Sequence, residues 1–266
     1  MRHGIVILPQ QHWSDARRTW SQAEELGFDH AWTYDHLSWR SLADQRWMAT
    51  IPTLTAAATV TSTIRLGTFV TSPNFRHPVP FAKDLATVDD IADGRFLLGI
   101  GSGGTGFDAD VLGYPRPTPR ERHDRFVEFV RDLDVLLRFE EPGSGGISFD
   151  GEWFRGHDAR MVGSPAQSPR MPFVIAADGP KGLRLSRRKG TAASRSDDHR
   201  TRSTRGGQAW PNSPIGFVRR SRMPVGRSMT STAISASTPH RDSRWRVSMP
   251  GRTQLDARQG SVSPTS

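Results

Sequence analysis

The 266-residue chain contains no cysteine, which excludes both disulfide scaffolds and thiolate metal sites. It also lacks an apolar run long enough to span a bilayer. The apolar core of its N-terminus, "MRHGIVILPQQ", is too short for a secretory signal. The expected location is therefore the cytosol, with no membrane partner. His3, His12, His77 and His123 read as surface or packing residues, and no pair of them has the spacing of a metal site. No metal is expected.

The net charge of +9 would suggest a polyanionic partner if it were spread over a folded surface. It is concentrated instead at one end. From Arg187 onward there are 16 Arg/Lys against 4 Asp/Glu, which leaves 20 basic and 23 acidic residues before that point. The same C-terminal stretch is dominated by Ser, Thr, Arg, Pro and Gly and shows no sustained helical or alternating apolar face. Such a composition buries too little apolar area to offset backbone ordering, so residues 190–266 are expected to be a disordered basic tail. Its contact with nucleic acid would be charge-driven, salt-sensitive and indifferent to sequence.

Residues 1–189 are organised differently. Short apolar runs at 4–9, 30–34, 64–70, 95–101 and 171–177 read as strands. They are nearly continuous in apolar character, as strands buried on both faces are. Between them lie helical patterns. One has Ser14 as its expected N-cap, a second carries Pro52 in its first turn, and a third begins at Pro78. The clearest runs over 121–138, with Phe126, Phe129, Val130, Leu133, Leu136 and Leu137 on one stripe. Residues 147–156, "ISFDGEWFRG", suggest a hairpin turning at Asp150–Gly151. Alternating strands and helices argue an α/β fold with a parallel sheet. About five βα units over this length suit a (β/α)8 TIM-barrel type better than a compact doubly wound sheet.

Three segments carry a family likeness: "AEELGFDHAWTYDHL" (23–37), "IRLGTFVTSPNFRHPVPFAKDLATVDDIADGRFLLGIGSG" (64–103) and "PFVIAADGPKGLRL" (172–185). In this order and spacing they resemble the bacterial luciferase-like superfamily, and most nearly its branch dependent on the deazaflavin coenzyme F420. The resemblance implies a TIM barrel with the cofactor at the C-terminal ends of the strands. It implies a luciferase-like oxidoreductase that transfers a hydride between F420 and a small organic substrate. The alternatives are an FMN-dependent monooxygenase of the same fold and an inactive truncated product with a polyanion-binding tail.

Carried over by position, the likeness assigns Asp35 and His36 to ring-side chemistry, with Asp35 also touching the ring's polar edge. Phe69 and Val70 correspond to a bulge behind the ring where a non-prolyl cis peptide occurs. Ser72 and Asn74 would be polar ring contacts, and Gly101, Ser102 and Gly103 a close-approach loop. Asp178 and Gly179 fall in a phosphate-proximal turn, and Trp39 would line the substrate pocket. The family's sugar-phosphate dehydrogenases carry an acidic residue in the strand-4 loop; the matching position here is Gly104.

After the fifth helix the family continues with a sixth strand opening "GDGW" or similar, whereas this chain reads "KGTAASRS". If codons 189–193 end in G and Ser194 is TCA, reading across the codon boundaries gives Gly-Asp-Gly-Gly-Val-Thr. A shifted reading frame after Lys189 is therefore expected. Without the remaining units, the first and fifth strands should be open edges that favour aggregation or pairing into a homo-oligomer.

Overall fold

The structure is a computed structural model that describes residues 2–104, 106–139, 145–177, 180–190, 192–196, 215–217 and 232–236. Strands β1 (Gly4–Ile7), β2 (His30–Thr33), β3 (Arg65–Thr68) and β4 (Phe96–Ile100) alternate with helices α1 (Trp13–Glu25), α2 (Thr50–Thr59) and α3 (Pro78–Ile91). Short helix α4 (Phe107–Val111) and long helix α5 (Pro119–Leu137) follow. Next come the antiparallel pair β5 (Ile147–Asp150) and β6 (Arg155–Ala159), then β7 (Phe173–Ala176) and α6 (Pro180–Lys189). Three short strands complete the described chain: β8 (Ala192–Ser196), β9 (Ile215–Phe217) and β10 (Thr232–Ala236).

β1, β2, β3, β4 and β7 pair in parallel and in sequential order. Sequential order, without the reversal that marks a doubly wound sheet, is the arrangement of a (β/α)8 barrel wall. Side chains alternate along each strand. Ile5, Ala31, Leu66, Phe96, Leu98, Phe173 and Ile175 join one cluster with the helices, where Trp20, Leu54, Phe81, Leu85, Phe129 and Leu133 meet them. Val6, Trp32, Leu97 and Val174 form a second cluster on the other face, with Tyr34 and Phe69 against it. Burial on both faces explains the unbroken apolar runs in the sequence.

Local signals account for the helix starts, with one correction. Thr118 and Glu121 form a reciprocal capping box at α5 with Pro119 behind it, and His77 accepts from the Val79 N–H at the head of α3. α1 begins two residues earlier than an N-cap at Ser14 would place it. His12 is its N-cap, and the His12 carbonyl accepts from the N–H groups of Asp15 and Ala16. The β5–β6 hairpin also differs from expectation: residues 151–154 form its connection, closed by a Gly151 N–H to Phe154 carbonyl bond of 2.9 Å. Neither Asp150 nor Gly151 has the positive φ that a two-residue type I′ turn requires. Glu128 of α5 takes the N–H groups of Trp153 and Phe154 at 3.0 and 2.8 Å, which fixes the longer turn on the helix.

The expectation of two open edges is overturned. β8 pairs in parallel with β7, from Val174↔Ala192 to Ala176↔Ser194, and β10 pairs with β8. β9 covers β1 in antiparallel register, Ile5↔Phe217 to Ile7↔Ile215. An exposed parallel strand offers backbone donors and acceptors irrespective of side-chain pattern, so small residues such as Ala192 and Ala193 can pair there without an apolar periodicity. The remainder of the expected tail lies outside the described residues.

Candidate active site

β2, β3 and β4 all deliver their following loops to one end of the sheet, the end where barrel enzymes build their sites. β2 runs into Tyr34, Asp35 and His36. The Thr50 hydroxyl of α2 holds the Tyr34 carbonyl at 2.7 Å, and the Trp47 indole N–H holds the His36 carbonyl at 2.8 Å. These bonds satisfy a backbone that has left the sheet ladder.

The His36 ring sits between two supports. Its Nδ1 lies 2.9 Å from Oδ2 of Asp108, a fully buried residue of α4, and Oδ1 of the same carboxylate accepts from the Leu37 N–H at 2.9 Å. The Trp39 ring is 4.7 Å from the His36 ring, between centroids, and 5.0 Å from that of Tyr34; Trp47 stacks on Trp39 at 6.4 Å. The His36 side chain keeps 11 % of its surface open. Trp39 thus packs directly against His36.

Asp35 is placed in the same loop but faces protein. Only 1 % exposed, it accepts from the Thr71 hydroxyl and from Arg76, whose Nη2 is 2.7 Å from Oδ1 and whose Nε is 3.2 Å from Oδ2. The guanidinium also lies over the rings of Phe75 and Phe81. A buried carboxylate needs such partners, and these anchor the β2 loop to the β3 loop.

Past β3 the Phe69–Val70 peptide bond is cis, at the position singled out in the sequence. The chain then rejoins β4: the Thr71 N–H donates to the Gly99 carbonyl and the Gly101 N–H to the Thr71 carbonyl, both at 2.8 Å. Phe69 and Val70 stay half-buried, while Ser72 and Asn74 are buried. The Ser72 hydroxyl accepts from the Asn74 N–H at 3.4 Å, and Asn74 Oδ1 accepts from Arg125 at 2.6 Å. Two of the loop's glycines have protein reasons. A Cβ on Gly101 would lie 2.8 Å from Val70, and one on Gly103, at φ +73°, would lie 2.3 Å from the Asn74 amide. Ser102 between them is half-buried. Asp178 and Gly179 lie outside the described residues.

Sequence reading missed Asp108 and Arg76. Arg76 stands in the quoted β3 loop, but its partner Asp35 is 41 positions away and nothing local points to it. Asp108 carried no signal either, because its contact with His36 spans 72 positions. Among the described residues no group of three or more His, Asp or Glu could hold a metal ion, and no helix is long and apolar enough to cross a membrane.

A parallel, sequentially ordered wall of strands, with the following loops gathered at its C-terminal end, is the arrangement of a TIM-barrel-type fold. The chain belongs to the luciferase-like monooxygenase family, whose pattern matches residues 1–193. It is 36 % identical over 170 residues to the F420-dependent glucose-6-phosphate dehydrogenase of Beutenbergia cavernae, covering 63 % of this chain and 48 % of that one. Among solved structures it resembles the coenzyme F420 dependent tetrahydromethanopterin reductase of Methanopyrus kandleri. There the TM-score is 0.62 and the identity 26 %, over 73 % of this chain and 55 % of that one. It also resembles a monooxygenase from Streptomyces bottropensis, at TM-score 0.64 and 25 % identity, over 74 % and 60 % of the two chains. The chain spans about half the length of the curated relatives it matches.

Proposed function

We propose that this chain carries the ring-side half of an F420-dependent oxidoreductase site, in which a hydride passes between the deazaflavin and a small organic substrate. The observation that carries the reading is His36, held between Asp108 and Trp39 just past the C-terminal end of β2. The similarity to a glucose-6-phosphate dehydrogenase and a methanopterin reductase, both named for F420, supports the choice of cofactor.

The residues present fit a flat heteroaromatic ring. Half-buried Phe69 and Val70 would supply apolar contact to the ring, and half-buried Ser102 and the part-open His36 imidazole polar contact. When bound, a deazaflavin supplies two-electron hydride chemistry. His36 would exchange the accompanying proton with substrate through its imidazole, which can both give and take one. Trp39 walls the substrate side. The Asp35–Arg76–Thr71 group keeps the β2 and β3 loops in register beneath it, a positioning task in place of direct ring contact. Gly101 and Gly103 let the β4 loop approach Val70 and Asn74 of the β3 loop closely.

Titrating the purified full chain with F420 and, separately, with FMN tests the proposal, with cofactor fluorescence as the readout. Saturable binding of F420 that weakens in Trp39→Ala is expected. Preference for FMN favours the monooxygenase reading, and binding of neither overturns the function.

A further inference from the structure

Asp108 has no assigned task, yet among the described residues it is the carboxylate that meets the His36 ring, from a helix two strands further along the chain. We propose that Asp108 is a positioning residue that holds His36 in the Nδ1–H tautomer, so that Nε2 is presented to the site as a bare nitrogen.

The geometry leaves little choice. Both Asp108 oxygens are buried, and buried carboxylate oxygens need donors. The Leu37 N–H serves Oδ1 at 2.9 Å, and the nearest group to Oδ2 is His36 Nδ1, also at 2.9 Å. An ionised carboxylate only accepts, so the nitrogen facing it carries the proton. The neutral ring has one N–H, which then leaves Nε2 with its lone pair. Ring rotation that would exchange the two nitrogens is opposed by Trp39, packed against the ring at 4.7 Å between centroids. α4 itself is braced for this role. Gly106 and Gly113 take φ of +75° and +69° at its two ends, and the Tyr114 N–H returns to the Ala109 carbonyl at 2.8 Å.

The assignment stands on protein geometry alone. Within the proposed function it means that His36 is set to receive a proton through Nε2 when a substrate hydroxyl is oxidised.

Side-chain ¹⁵N NMR of the full-length chain labelled at histidine, without any cofactor, tests it. The His36 signals are identified by their loss in His36→Gln. At a pH where the ring is neutral, protonated Nδ1 and unprotonated Nε2 are expected. In Asp108→Asn the amide oxygen stays with the Leu37 N–H and the amide NH2 faces the ring. The tautomer should then reverse, with Nδ1 bare and Nε2 protonated. A wild-type His36 protonated at Nε2 overturns the proposal, and so does an Asp108→Asn variant that keeps Nδ1 protonated. Should that variant fail to fold, the wild-type spectrum decides alone. A chain that binds neither cofactor but shows the Nδ1–H tautomer would remove the proposed function and leave this inference intact.

Discussion

Arg76 grips Asp35 through two nitrogens, at 2.7 and 3.2 Å, across 41 residues of sequence. Asp35 is almost fully buried and Arg76 is 18 % exposed. A two-point guanidinium–carboxylate contact fixes orientation as well as distance.

Removing only the arginine strands a buried charge. Arg76→Ala should therefore lower stability by about 3–5 kcal/mol, read from the midpoint and slope of urea unfolding. The double variant Asp35→Asn/Arg76→Ala should recover part of that loss. Equal stabilities for the single and double variants would show that the two side chains do not depend on each other.

Glu24 offers a test against pH. Burial opposes its ionisation, but the N–H groups of Ile64, Thr63 and Ser62 and the Thr63 hydroxyl outweigh that and hold its pKa down at about 2. The folded value lies below the ordinary 4.5. The stabilisation is therefore complete above the ordinary value and fades as pH falls through it towards about 2. Glu24→Gln should be less stable than wild type at neutral pH, and the gap should close across that acid window. Thermal unfolding as a function of pH measures it; a gap independent of pH would assign the loop's stability to other contacts.

Gly99 sits where β3 and β4 come too close for any side chain, since a Cβ there would lie 1.8 Å from the Thr68 carbonyl oxygen. That carbonyl belongs to rigid strand backbone, so overpacking should cost Gly99→Ala at least about 1–3 kcal/mol. The displaced β3 end should also disturb Thr71, which bonds back to Gly99. Unfolding curves and ring-proton NMR of Phe69 would report the two effects. Unchanged stability would mean the strands separate freely at this point.

We propose that residues 1–189 form the barrel portion and that the codons after Lys189 are read in a shifted frame. The family match ends at residue 193, and the chain covers about half of its relatives. Sequencing the DNA through codons 186–195 and beyond should reveal further strand–helix units in an alternative frame. If neither alternative frame encodes them, the shift is refuted.

Much of the architecture was decided locally. The runs at 4–9 and 95–101, the proline at 78, and the Thr118–Glu121 box each state a strand or a helix end through short-range sterics and hydrogen bonding, independent of the rest of the chain. The family likeness around "WTYDHL" brought His36 and the Phe69–Val70 bond into view for the same reason, because their signals are contiguous in sequence. What tertiary structure alone decided is which groups answer one another. Asp35 looks like a free acid until Arg76 and Thr71 close on it, and Asp108 looks like an ordinary first-turn helix residue until the β2 loop brings His36 to it. The pairing of β8 and β9 to the sheet edges follows the same rule. Backbone edges recruit partners by geometry, and side-chain periodicity carries no record of it.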